Sequence, residues 1–308
     1  MKVVGLELVG DKRKAVGIYW GDGRLLDLSR ALRIFMMAKG REDPGHVESP
    51  QDAISRGFLD IGLLSDLLSF VDAHRLYEDL LVRDPKLLAP IPYPSKVIAL
   101  GRNYASHAKE MGHEIPKEPI IFQKASSSIV GPEEPVIYHR GLTRIDHEVE
   151  LAVVIGKTCR HVMEDEALSY VAGYTVLNDV TARDMQASDI ESKLPWFRSK
   201  SFDTFCPIGP CITLPDEIPD PQSLDLSMMV NGEVRQKANT SEMIFPVSSL
   251  ISYISSIMTL YPGDIIATGT PDGIGPVFPG DIMEAYVERI GVLRNPVVEE
   301  DRLCKGPG

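Results

Sequence analysis

Two glutamates one residue apart open an otherwise apolar run, DHEVELAVVIGK, at residues 146–157. Residues two apart in a strand point to the same face, so Glu148 and Glu150 would share a face with Ala152 and Val154, while Val149, Leu151, Val153 and Ile155 fill the other. A strand apolar on both faces is one buried on both. Adjacent carboxylates at its mouth repel each other and resist desolvation unless a cation or proton compensates. The alternative is that the strand emerges into water and the pair is solvated. A third acid, Asp179, ends the run AGYTVLND, where a sheet delivers side chains to a cleft, although an aspartate there also serves as a turn former. Three carboxylates without histidine or cysteine suit a hard divalent cation, magnesium, manganese or calcium, over zinc.

Upstream, ALGRNYASHAKEMG follows a strand, and its spacing predicts a short helix over 105–111 that makes His107 and Glu110 neighbours. A histidine oriented by a carboxylate is a general base able to deprotonate water near neutral pH; the same pair also occurs on ordinary surface helices. FQKASSSIVG offers Lys124 and hydroxyls, or simply a loop, and FRSKSFDTFCPIGP places Arg198 and Lys200 among aromatics and turns. ATGTPDGIGP can present backbone N–H groups and Thr270 to an anion. It lacks the lysine spacing of a phosphate loop, so a hairpin connection is its default reading.

These residues need a sheet to hold them. KVIALG, ELAVVIG, AGYTVLND, DLSMMVNG and DIIATG read as strands, and FPVSSLISYISSIMTLYP as a helix. Residues 1–38 read as short strands and turns with a hairpin at 21–23, KGREDPGHVESPQDA as a loop, and 58–82 as one or two amphipathic helices. Prolines 85, 90, 92 and 94 favour an extended connector, which places a boundary between a small N-terminal α+β domain, 1–90, and a catalytic domain, 91–308. Helices are too few between strands for a doubly wound sheet, so the expected class is α+β, β-dominated, a mixed roll or barrel.

The 308 residues are 44% hydrophobic and 25% charged, with net charge −12. That balance argues against a nucleic-acid partner and requires local cations, or a metal, to receive an anionic substrate. No run approaches a membrane span, and MKVVGLELVGDKRK has no signal-peptide core. Cys159, Cys206, Cys211 and Cys304 match no zinc pattern or disulfide framework and read as reduced thiols. A cytoplasmic enzyme fits these features.

Seven motifs in order, GRNYASHAKE, FQKASSS, DHEVELAVVIGK, GYTVLNDVTARDMQ, RSKSFDTFCPIGP, NGEVRQKANTSEMIF and ATGTPDGIG, resemble the fumarylacetoacetate hydrolase family over about residues 88–290. The resemblance implies that Glu148, Glu150 and Asp179 bind one Mg2+ or Mn2+ per subunit, with Ca2+ an occupant in crystals. It implies that His107 and Glu110 form the water-activating dyad of the acylpyruvate hydrolase branch and that Lys200 is the active-site lysine. Arg102, Lys124, Arg183, Gln186 and Thr270 would contact a small anionic 2-oxo acid, and the subunits would form a homodimer. His147 departs from the aromatic usual in relatives; alternating with Glu148, it should point away from the metal.

The activity so implied is hydrolysis of a carbon–carbon bond in an acylpyruvate through an enolate held at the metal, with His107 activating water and Lys200 stabilising the oxyanion. Oxaloacetate decarboxylation uses the same enolate chemistry. So do the 2-hydroxyhepta-2,4-diene-1,7-dioate isomerase and 5-carboxymethyl-2-oxo-hex-3-ene-1,7-dioate decarboxylase reactions of aromatic catabolism. A metal-binding scaffold without turnover would keep the three carboxylates but would not need His107, Glu110 and Lys200 to converge.

Overall fold

A computed structural model describes residues 1–8, 10, 12–21, 23–106 and 114–300. The two acidic runs become neighbouring strands, Val149–Ile155 and Val171–Asn178, paired antiparallel with Val149 opposite Asn178 and Ala152 opposite Thr175. They lie near the middle of an eleven-stranded sheet. Beyond Val171–Asn178 come Cys206–Thr213 and then the N-terminal strands Lys2–Glu7, Lys14–Trp20 and Arg24–Asp27. Beyond Val149–Ile155 come Ile265–Ala267, Val97–Gly101 and the edge strand Ile120–Lys124, the first two of these being parallel. A five-stranded sheet runs Glu233–Asn239, Asp225–Val230, Ile282–Val287, Gly291–Glu299, Val136–Tyr138. A small third sheet joins Thr181–Ala182, Ile145–His147 and Gly275–Val277.

The alternation in ELAVVI is used on both faces. Val149, Leu151, Val153 and Ile155 enter a core with Leu226, Met228 and Ala285 of the five-stranded sheet. Ala152 and Val154 enter a second core with Leu32, Phe35, Leu64 and Leu67, on the helices Leu28–Ala38 and Ile61–Ala73. Each large side chain so buried contributes about 1.5–3 kcal/mol, and a strand held from both sides has no freedom to slip register.

The class is α+β and strand-dominated, as expected, but among the described residues no sheet closes into a barrel. Arg24–Asp27 and Ile120–Lys124 end the largest sheet at opposite edges and do not pair. The five strand runs, the helix Val247–Ile257 and the helical stretch after residue 58 form as the patterns predict. Leu28–Ala38 and Pro50–Ser55 are helices where strands, turns or loop are expected. Both begin at a side-chain cap, Asp27 accepting from the Arg30 N–H and Ser49 from the Asp52 N–H. Among the described residues no helix is long and apolar enough to cross a membrane.

Candidate active site

Strand register builds the acidic cluster. Continuing the Val149–Asn178 pairing by one residue sets Asp179 against Glu148, and the Asp179 N–H donates to the Glu148 carbonyl at 2.8 Å. Asn178 Oδ1 accepts from the Glu148 N–H at 2.9 Å. One carboxylate oxygen from each of Glu148, Glu150 and Asp179 lies within 4.8 Å of the others. All three residues are buried, which excludes solvated glutamates.

Buried carboxylates demand cations. Lys200 Nζ donates to Glu148 Oε2 and Asp179 Oδ2, each at 2.7 Å. Lys124 Nζ donates to Asp179 Oδ1 at 2.5 Å. Arg183 donates to Glu148 Oε1 and, at 2.8 Å, to Asp146 Oδ2, and Arg144 also grips Asp146, at 2.8 and 3.0 Å. Glu150 forms no ion pair among the described residues; its Oε2 accepts the Gly269 N–H at 2.7 Å. Burial, and then the charges of Asp179 and Glu148, therefore hold its carboxyl well above the usual range. Burial pulls the Lys200 ammonium down, but Asp179 and Glu148 push it up further and the net direction is up. Lys200 is a hydrogen-bond donor here and not a base.

Gly269 makes its contact possible. Its φ is +97°, and a Cβ there would meet Asn103 Cβ at 2.8 Å. Asn103 Nδ2 donates to the carbonyls of Thr268 at 2.8 Å and Phe245 at 3.1 Å, tying the GRNY segment to the ATGT loop.

A cleft opens at the cluster, with Arg102, Glu148, Arg183, Gln186, Lys200 and Thr270 as its polar lining. Five of the residues proposed from sequence to act on substrate thus converge on one metal-ligand candidate. Lys124 is wholly buried and bonds to Asp179 without lining the cleft. His107 and Glu110 lie outside the described residues. Apolar walls come from Leu100, Phe122, Ile190 and Trp196. Arg102, at φ +59°, lies over the Trp196 ring at 5.7 Å and has no ion-pair partner among the described residues. Gly101 leaves room for that ring, since a Cβ would come within 2.7 Å of it.

Sequence reasoning misses Asp146, Trp196 and Gln236. Asp146 stands two before Glu148 and is wholly buried, where it orients Arg183. Gln236 is buried between exposed Arg235 and Lys237, a polar residue at the one inward position of an outward-facing stretch. His147 turns to Gln236, whose Oε1 lies 3.0 Å from Nδ1, and burial pushes the imidazole pKa down.

The cluster fits a hard divalent cation. It supplies three converging oxygens, and Glu150, whose carboxyl is held well above the usual range by burial and by Asp179 and Glu148, forms no ion pair among the described residues. Fold and site define a strand-built α+β enzyme with a buried carboxylate centre beneath a cationic cleft. The chain belongs to the fumarylacetoacetate hydrolase family: residues 96–298 match the family profile described as "Fumarylacetoacetate (FAA) hydrolase C-terminal". It is 47% identical to the mitochondrial oxaloacetate tautomerase Fahd2a of Rattus norvegicus over 218 residues, 68% of this chain and 69% of that protein. The fumarylacetoacetate hydrolase of Exiguobacterium antarcticum superimposes with a TM-score of 0.79 at 36% identity, covering 97% of this chain and 100% of that one. The maleylpyruvate hydrolase of Sphingobium sp. SYK-6, in complex with manganese (II) and pyruvate, gives 0.73 at 31% identity, covering 97% and 99%.

Proposed function

We propose that this protein catalyses the metal-dependent enolisation of a small 2-oxo acid, with keto–enol conversion of oxaloacetate as its reaction. The observation that carries this reading is the buried Glu148–Glu150–Asp179 cluster opening on a cleft lined by Arg102, Arg183, Gln186, Lys200 and Thr270. The oxaloacetate tautomerase relative supports the reaction, and the neighbour holding manganese and pyruvate supports the ligand class. Glu148, Glu150 and Asp179 would hold one Mg2+ or Mn2+, which when bound supplies Lewis-acid polarisation of the 2-oxo group. Lys200, kept protonated by its two carboxylates, donates to the oxygen that gains charge as the C–H bond breaks. Arg102 would receive a carboxylate oxygen, with Thr270, its hydroxyl already given to the Val149 carbonyl, shaping the cleft beside it. Glu148 is held by Arg183 and Lys200 and is a poor base. His107, for which the sequence expects Glu110 as the orienting partner, would be the candidate that removes the C3 proton and returns it to oxygen.

A second reading is hydrolysis of an acylpyruvate, favoured by the maleylpyruvate hydrolase neighbour, with His107 acting on water. The test follows the enol absorbance of oxaloacetate after enzyme addition, alongside pyruvate release from acylpyruvates. Accelerated enol decay, abolished by chelation and restored by Mn2+, is expected. Pyruvate release without accelerated tautomerisation would transfer the assignment to the second reading. Full activity in excess chelator with no metal retained would end both.

A further inference from the structure

The strand that carries Glu150, with Glu148 just before it, keeps Val171–Asn178 on one side but loses its other sheet neighbour where the two acids sit. Pairing with Ile265–Ala267 covers Val154, Val153 and Ala152 only. At Leu151 the next chain is already turning, and Thr268 supplies both its N–H, at 3.1 Å, and its hydroxyl, at 2.9 Å, to the Leu151 carbonyl. Val149, between the ligands, turns its N–H and C=O away from Asn178. Its carbonyl accepts the Thr270 hydroxyl at 2.9 Å, and its N–H donates to Gln236 Oε1 at 3.1 Å.

Gln236 comes from the other sheet, on Glu233–Asn239, and is 1% exposed. Its amide orientation follows from its partners. Oε1 faces the Val149 N–H and His147 Nδ1, at 3.0 Å, while Nε2 donates to Thr270 Oγ1 at 2.8 Å and to the Pro271 carbonyl at 2.9 Å. Two acceptor and two donor sites are all used. Oε1 can only accept, so His147 carries its proton on Nδ1. A flip of the amide would set its NH2 against the Val149 N–H and its oxygen against the Pro271 carbonyl.

We infer that Gln236 is a positioning residue that replaces the missing strand, setting the spacing of Glu148 and Glu150 through Val149 and the seat of Thr270 through Nε2. It touches neither metal nor substrate and acts through groups that do. The inference rests on the metal-site reading above, and it assigns the two ends of one amide to two functions, ligand spacing and substrate binding.

Two variants separate those ends. Gln236→Met removes all four bonds. Gln236→Glu keeps an acceptor toward Val149 and His147 but turns an oxygen toward the Pro271 carbonyl. The measurements are the Mn2+ dissociation constant of the purified metal-free protein by calorimetry, and KM and kcat for oxaloacetate at saturating Mn2+. Gln236→Met should weaken Mn2+ by roughly 10–100-fold, the usual effect of removing a partner that orients metal ligands. Gln236→Glu should leave Mn2+ binding within about threefold while raising KM at least about fivefold, a split that general loosening of the fold would not produce. A foldable Gln236→Met with unaltered Mn2+ affinity would overturn the inference. So would a Gln236→Glu protein, the variant that tests the idea if Met does not fold, in which metal affinity and KM move together or not at all. Wild-type protein that binds no Mn2+ would instead remove the metal-site reading, and the inference with it.

Discussion

Lys200→Met tests whether the buried lysine serves the reaction or only the fold. Its ammonium makes two 2.7 Å bonds, to Glu148 and Asp179, in a site almost closed to solvent. Removing one partner of a buried ion pair costs about 3–5 kcal/mol. Glu148 keeps Arg183 and Asp179 keeps Lys124, so the loss belongs near the lower end, about 3 kcal/mol. With an unfolding entropy of about 2.1 cal/mol/K per residue over 308 residues, that lowers Tm by about 5 °C in metal-free protein. A bound divalent ion neutralises the same carboxylates, so saturating Mn2+ should close most of that gap. Mn2+ affinity should hold or rise, because a competing cation has left the ligands. Turnover should nevertheless fall on the order of 10²–10³, since a donor aimed at developing charge acts in the transition state. Thermal unfolding with and without Mn2+, Mn2+ titration and kcat form one data set. An equal Tm loss in both conditions, with kcat within about threefold of wild type, would refute the reasoning and leave Lys200 a structural counterion.

The raised Glu150 carboxyl predicts a pH dependence of metal-free stability. The folded state holds a proton that the unfolded chain releases near pH 4.3, so this contribution is present at low pH and lost as pH rises through the folded pKa. Metal-free wild type should therefore lose Tm with rising pH relative to Glu150→Gln, and parallel curves would contradict the assignment. Arg102→Met should raise KM for oxaloacetate by roughly 10–100-fold, the value of a charge-assisted hydrogen bond, with kcat little changed in initial-rate assays. His107→Ala should slow acylpyruvate hydrolysis by roughly 10²–10⁴ and spare metal-dependent oxaloacetate decarboxylation at least about tenfold more. Equal losses in the two reactions, measured on one preparation, would show that His107 positions substrate and does not activate water.

Glu148, Glu150 and Asp179 are legible because a period of two and an apolar run are local properties, and two like charges in such a run call for a cation. The strands and the Val247–Ile257 helix are legible for the same reason. Leu28–Ala38 is not, because its defining cap, Asp27, closes a strand and opens the helix in one residue. Asp146 and Gln236 look like ordinary polar positions until the sheets stack. Their partners, Arg183 and Val149, are 37 and 87 residues away. By itself the sequence determined the types of the three acids, the faces they occupy and the hardness of the ion that such a set would suit. Only the tertiary structure decided that Lys200 and Lys124 divide Asp179 between them, that Arg102 lies on Trp196, and that a glutamine from a second sheet stands in for a strand. Those are contacts between distant segments, set by register and by stacking of sheets, and short-range pattern carries no record of either.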